Sequence, residues 1–161
     1  MSRILVIGYG NPLRADDAIG WHAVEALEER FPEYTDIRFI VAHQLLPEHI
    51  VSIAESDYVV FVDASKTGNP GDISHVNVSP ADSTLSMMHA LSPGYLLTYV
   101  NEYYEEAPDA VLFTLTGADF GLREGLSNTV QSNLPQFVDV ITEFIDTRFY
   151  VSDNLVSDFG S

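Results

Sequence analysis

Two adjacent aspartates, Asp16 and Asp17, stand in "VIGYGNPLRADDAIG" just after a glycine turn, and a third, Asp63, closes the apolar run "YVVFVDA". Carboxylates brought together from separate parts of a chain serve as metal ligands or as acid–base groups that activate water. Five histidines are available to join them. His22 lies within a helical pattern, His43 and His49 flank "QLLPE", and His75 falls in an exposed strand, where it should point off the sheet edge. His89, in "SMMHALSP", stands just before a helix and is the best candidate to bring an imidazole to two carboxylates. Imidazole plus carboxylate ligands suit nickel or zinc better than calcium. Plainer readings stay open beside these: Asp17 fits a helix cap, an aspartate after a strand often only turns the chain, and a lone histidine is more often structural than a ligand.

The glycine turn itself admits a phosphate cradle, which makes the opposite demand on charge. "GYGNPL" carries Leu13 where the third glycine of a dinucleotide fingerprint belongs, and the Gly-Lys-Ser/Thr ending of a Walker loop is missing. Paired acids also repel pyrophosphate, so the turn argues against nucleotide binding. The chain has no cysteine, which excludes disulfides, zinc knuckles, iron–sulfur clusters and thiol nucleophiles; any metal must sit on His, Asp or Glu. Neither HExxH nor G-x-S-x-G occurs, so the standard zinc-protease and serine-esterase signatures are absent too.

The elements that must position these residues are legible in the patterning. "RILVIG" is an apolar, β-branched run suited to a parallel strand covered on both faces, and "DAIGWHAVEALEERF" after it has helical spacing, with Ile19, Ala23, Leu27 and Phe31 in one stripe. "IRFIVA" and "YVVFVDA" predict a second and a third strand, the latter ending at Asp63, with "PEHIVSIAES" as a helix between them carrying Pro47 in its first turn. "GDISHVNV" alternates like an edge strand of antiparallel sense, "SPGYLLTYVNEYYEE" opens on a Ser92 cap with Pro93 at the first helical position, and "AVLFTLTG" is a further buried strand. A last helix repeats Val130, Leu134, Phe137, Ile141 and Phe144, with Pro135 either kinking it or marking where its regular part begins. The class is α/β, a three-layer sandwich with a mostly parallel twisted sheet and helices on both faces. In such a sheet ligands bind outside the carboxyl ends of the strands where strand order reverses, between strands one and three, and Asp16, Asp17 and Asp63 all fall there. Residues 1–149 read as one domain and 150–161 as a short, acidic C-terminal tail, expected to be disordered.

A formal charge of −17 predicts a soluble chain that repels nucleic acid and anionic membranes and favours neutral or basic partners. No apolar run approaches the length of a membrane span, and the residues after Met1 lead directly into the first strand, so the expectation is a cytoplasmic protein.

Taken together, "ILVIGYGNPLRADDAIG", "HQLLPE", "VVFVDA", "HALSPGYLL" and "GADFGLREGLS" resemble the nickel-iron hydrogenase maturation endopeptidases, in that family's order and over roughly residues 3 to 147. The resemblance implies an α/β enzyme that removes a short C-terminal extension from the hydrogenase large-subunit precursor after nickel insertion. It maps the family's metal-contacting and catalytic residues onto Asp17, Asp63 and His89, the trio that the spatial argument also picks, and makes Gly8, Gly10, Asn11 and Asp16 residues that shape the loop. It further implies that nickel arrives on the precursor, with none tightly bound to the enzyme at rest, and that the partner is that precursor; a monomer is expected. "GYGNPLR" and "HQLLPE" are most similar to members serving NAD-linked bidirectional hydrogenases. Ala18 departs from the glycine of many members, and the chain after Phe149 matches nothing in the family. The alternative is a non-catalytic chaperone or binding module that recognises the nickel-loaded precursor.

Overall fold

The computed structural model describes residues 3–33, 35–80 and 91–151. His89 and residues 152–161 of the tail lie outside them. Strand β1 (Ile4–Tyr9) leads through a 3₁₀ turn (Ala15–Ala18) into helix α1 (Ile19–Arg30), then β2 (Ile37–Ala42), α2 (His49–Ala54) and β3 (Tyr58–Ser65). After these come β4 (Ile73–Val78), α3 (Pro93–Tyr103), β5 (Asp109–Thr116) and α4 (Asn128–Ile145). The strands form one sheet in the order β2-β1-β3-β5-β4, all parallel except β4, which runs antiparallel to β5 at the edge. The three-layer α/β architecture and the edge position of the alternating strand are as the sequence predicts.

Each strand splits its apolar residues between two cores, as the two-residue strand period requires. Ile4 and Val6 of β1 join α1 and α4 through Ile19, Leu27, Phe137 and Ile141, while Leu5 and Ile7 join α2 and α3 through Ile53, Leu96 and Leu97. Burial on both faces is why β1 and β3 read as unbroken apolar runs rather than alternating ones. β1 and α1 meet almost backbone to backbone: a Cβ on Gly8 would lie 2.3 Å from the Gly20 carbonyl oxygen and 2.6 Å from Val24 Cγ2. Gly8→Ala is therefore expected to lower stability by about 2–3 kcal/mol, since two regular elements have to part; urea unfolding checks it, and a loss under ~0.5 kcal/mol contradicts the close approach.

Some boundaries differ from the sequence reading. β3 runs two residues beyond Asp63, because β5 keeps pairing with it through Ala64↔Leu115 and Ser65↔Thr116 after β1 has stopped at Gly8↔Val62. α2 begins only at His49; Pro47 lies in the turn before it, its carbonyl accepting from Ile50 N at 3.0 Å. Ser92 caps α3 by accepting from Tyr95 N, with Pro93 at the first helical position as expected. Ser127 caps α4 by accepting from Val130 N, so Pro135 sits inside a helix that is already regular rather than at its start. The chain continues past α4 as a wide helical turn, Asp146–Val151, and Phe149 and Tyr150 pack against the α1/α4 core. His75 is exposed, as an edge strand allows, but its ring lies over the sheet face rather than off the edge, 5.3 Å from that of Phe113, its register partner on β5, and 6.5 Å from that of Phe144. Among the described residues no helix is long and apolar enough to cross a membrane.

Candidate active site

The two aspartates of the pair do different work. Asp16 is fully buried, its carboxylate accepting from three backbone N–H groups: Ala118 at 2.7 Å, Asp119 at 2.9 Å and Ser127 at 2.7 Å. Burial alone would raise its pKa, but the Ser127, Ala118 and Asp119 donors outweigh it and hold the carboxyl below its ordinary value. Its own N–H donates to Asp119 O at 2.9 Å, so the loop after β5 is riveted to the loop after β1.

Asp17, one residue on, is part-exposed, and its carboxylate accepts from Asn11 N at 2.7 Å. Asp17 is not the cap of α1. A 3₁₀ turn intervenes before α1, whose cap position is Ala18 with no side-chain hydrogen bond, and Asp17 reaches back across the loop instead of forward into the helix. Asn11 completes the turn by accepting from Leu13 N at 2.9 Å. Gly10 makes the geometry possible: its φ is +146°, and a Cβ there would lie 2.0 Å from the Asp17 carbonyl oxygen. Trp21 holds the same glycine from α1, donating to Gly10 O at 2.8 Å and to Ala42 O at 3.1 Å.

Asp63 enters from β3, one residue beyond the last β1–β3 pair, Gly8↔Val62, and so stands level with Tyr9. Burial is the main reason its pKa rises to about 7; the Asp17 charge adds to the rise, while the Ala64 N–H, the Tyr9 hydroxyl and the Lys66 charge oppose it. Tyr9 donates its O–H to Asp63, and its own pKa is raised well above the ordinary value, first by burial and then by the Asp63 charge. Tyr9 was not among the residues singled out from the sequence. Its signal lies in the parallel register, which puts residue 9 beside residue 63 only once the strands are paired.

The strand order reverses between β1 and β3, and Asp17 and Asp63 meet at that point close enough for one charge to act on the other. Among the described residues no group of three or more His, Asp or Glu side chains is gathered to hold a metal ion. Of the other histidines, His22 is exposed on α1, His49 is buried with Nδ1 accepting from Leu46 N at 2.9 Å, and His43 is exposed with its ring edge-on to Trp21. An apolar groove of about 510 Å³ lies between β4 and α4, lined by His75, Phe113 and Phe144 among others and by none of the site aspartates. What the carboxylate pair offers chemically is two oxygen donors from separate elements, Asp17 on the turn after β1 and Asp63 on β3, the latter raised by burial to about 7.

No known family profile matches the chain. Over 73 residues it is 41% identical to the hydrogenase 2 maturation protease of Escherichia coli (strain K12), a stretch that spans 43% of this chain and 43% of that protein. Among solved structures, the hydrogenase maturating endopeptidase HybD from E. coli matches with a TM-score of 0.73 at 24% identity, covering 91% of this chain and 94% of that one. The [NiFe] hydrogenase maturation protease HycI from Thermococcus kodakarensis KOD1 matches with a TM-score of 0.71 at 26% identity, covering 90% and 93%. An endopeptidase from E. coli, known from a solution structure, matches with a TM-score of 0.74 at 25% identity, covering 91% and 94%. In sequence over part of its length and in fold over nine-tenths of it, the chain resembles the hydrogenase maturation endopeptidases.

Proposed function

We propose that this chain is an endopeptidase that removes the C-terminal extension of a nickel-iron hydrogenase large-subunit precursor after nickel insertion, acting as a monomer in the cytoplasm. The observation that carries the reading is the meeting of Asp17 and Asp63 at the strand-order reversal of a fold shared with maturation endopeptidases. In this reading the nickel is cargo of the precursor. Asp17, Asp63 and His89 grip it, and an unfilled precursor offers them nothing to hold. Gripping the metal fixes the scissile peptide beside the crevice, which turns the attack of water into a positioned, near-unimolecular step. Asp63, its carboxyl raised by burial to about 7 before the metal docks, accepts the proton of the attacking water and returns it to the leaving amine as the C–N bond breaks. Asp17, held to the Asn11 N–H, keeps its position as the substrate docks.

Mass spectrometry of the precursor large subunit, incubated with the chain with and without nickel, tests the reading. Shortening of the nickel-loaded form supports it; binding without shortening makes the chain a chaperone. Asp17→Asn separates chemistry from structure, because Asn still accepts from Asn11 N but is a far poorer metal ligand. Processing is expected to fall at least about 100-fold, with stability changed by less than ~1 kcal/mol. A variant that processes at the wild-type rate removes Asp17 from the site.

A further inference from the structure

Beside the crevice, the loops after β1 and β5 are joined more firmly than the loops of a surface usually are. Arg123 N donates to Leu13 O at 3.0 Å and Ala15 N to Arg123 O at 2.9 Å, a short parallel bridge between the strips around Arg14 and Arg123. The buried Asp16 carboxylate clamps the same loop from beneath, and Ala15 is held at φ +49°, a left-handed conformation that a residue with a Cβ adopts at a cost of ~1 kcal/mol or more. What this rigid platform displays outward is mainly apolar and cationic, with Glu124 exposed beside Arg123. Leu122 is 77% exposed and Leu13 53%, and the Arg123 side chain is 66% exposed although its Nε meets Asp119 at 3.1 Å. Arg14 is exposed beside the Phe120 carbonyl, and Lys66 stands 5.1 Å over the Phe120 ring. Three of the seven Lys and Arg residues of a strongly acidic chain thus surround one loop. Stability does not account for the arrangement, because an exposed Arg–Asp pair stabilises little and exposed leucines stabilise nothing. Exposed leucine and arginine on a preorganised backbone are the makings of a protein-binding surface. The surface is also next to the chemistry, for Arg14 O accepts from the N–H of Asp17 at 3.0 Å.

We propose that this platform grips the large-subunit precursor at an apolar segment bearing a carboxylate, with Leu13 and Leu122 taking the apolar side chains and Arg14 and Arg123 the acid. The assignment rests on the processing activity proposed above and names the chemistry of the precursor surface that the enzyme reads besides its nickel. Its charge complementarity is local and opposite to that of the chain as a whole.

Steady-state processing of nickel-loaded precursor by Leu122→Glu and by the pair Arg14→Glu with Arg123→Glu tests it, with Val76→Glu on exposed β4 as control and thermal melting to confirm folding. The expected result is a KM raised about tenfold or more in both platform variants, a much smaller fall in kcat than in kcat/KM, and an unchanged KM in the control. Added salt should raise the KM of the wild type more than that of the double variant. Wild-type KM in both platform variants overturns the platform while leaving the processing activity standing, as does an equal rise in the control. Failure of the wild type to shorten the precursor overturns both.

Discussion

Asp63→Asn will leave nickel-loaded precursor unshortened while making the enzyme more stable at pH 8. The loss follows from the removal of both a metal-binding oxygen and the proposed base. The gain follows from the environment of the carboxyl. Burial raises its folded-state pKa from 3.8 to about 7, so between those values the folded protein holds a proton that the unfolded chain has released. Stability of the wild type therefore falls as pH rises through that window, and the full penalty is present above pH 7. Asparagine carries no charge and can still accept from Tyr9 and Ala64, so it escapes the penalty. Because Asp63 is only half-buried, the full conversion of the shift is discounted, leaving a gain of about 2 kcal/mol at pH 8 that fades towards pH 4. Chemical unfolding at the two pH values, alongside the processing assay, measures both effects. A variant less stable than wild type at pH 8 contradicts the buried-charge account, and one that processes normally removes Asp63 from the site.

Asp16 carries the opposite expectation. Asp16→Ala strands three part-buried backbone N–H groups, those of Ala118, Asp119 and Ser127, and opens the joint between two loops. A buried unsatisfied donor costs on the order of 1–3 kcal/mol and a part-buried one less, so the expected loss is about 2–4 kcal/mol. Asp16→Asn fares little better, because its amide N–H₂ has to face one of those donors. The hydrogen-bonded carboxyl is held below its ordinary pKa, so its contribution is present above the usual carboxylate range and is lost as pH falls through the lowered value. Urea unfolding of both variants at neutral pH decides the matter; a loss below ~1 kcal/mol in Asp16→Ala sinks the claim that this carboxylate holds the loops. Two neighbouring aspartates are thus expected to split cleanly, one needed to fold and the next needed to process.

The split shows where sequence reading reaches and where it stops. β1 and β3 are legible because a strand buried on both faces must be apolar throughout, and Asp63 is legible as the first polar residue after such a run. The reversal of strand order between β1 and β3 follows from the βαβ succession, so the convergence of Asp63 with the Asp16–Asp17 turn is readable from the sequence. The partners of Asp16 are not, because they lie more than a hundred residues away in sequence. Tyr9 escapes for a related reason: its meeting with Asp63 is a product of register, and an aromatic at a strand end is ordinary in composition. The cap reading of Asp17 uses sound local chemistry but misses the 3₁₀ turn that puts Ala18 at the start of α1. Likewise Leu13, Arg14, Leu122 and Arg123 become one surface only through the bridge between two distant loops.

The central claim is most directly tested by the mass of the large-subunit precursor after incubation with this chain, measured in parallel for nickel-loaded and nickel-free substrate. The account predicts one shorter product, cut near the C-terminus, from the nickel-loaded form alone. A precursor of unchanged mass in the nickel-loaded reaction, or equal shortening without nickel, contradicts it.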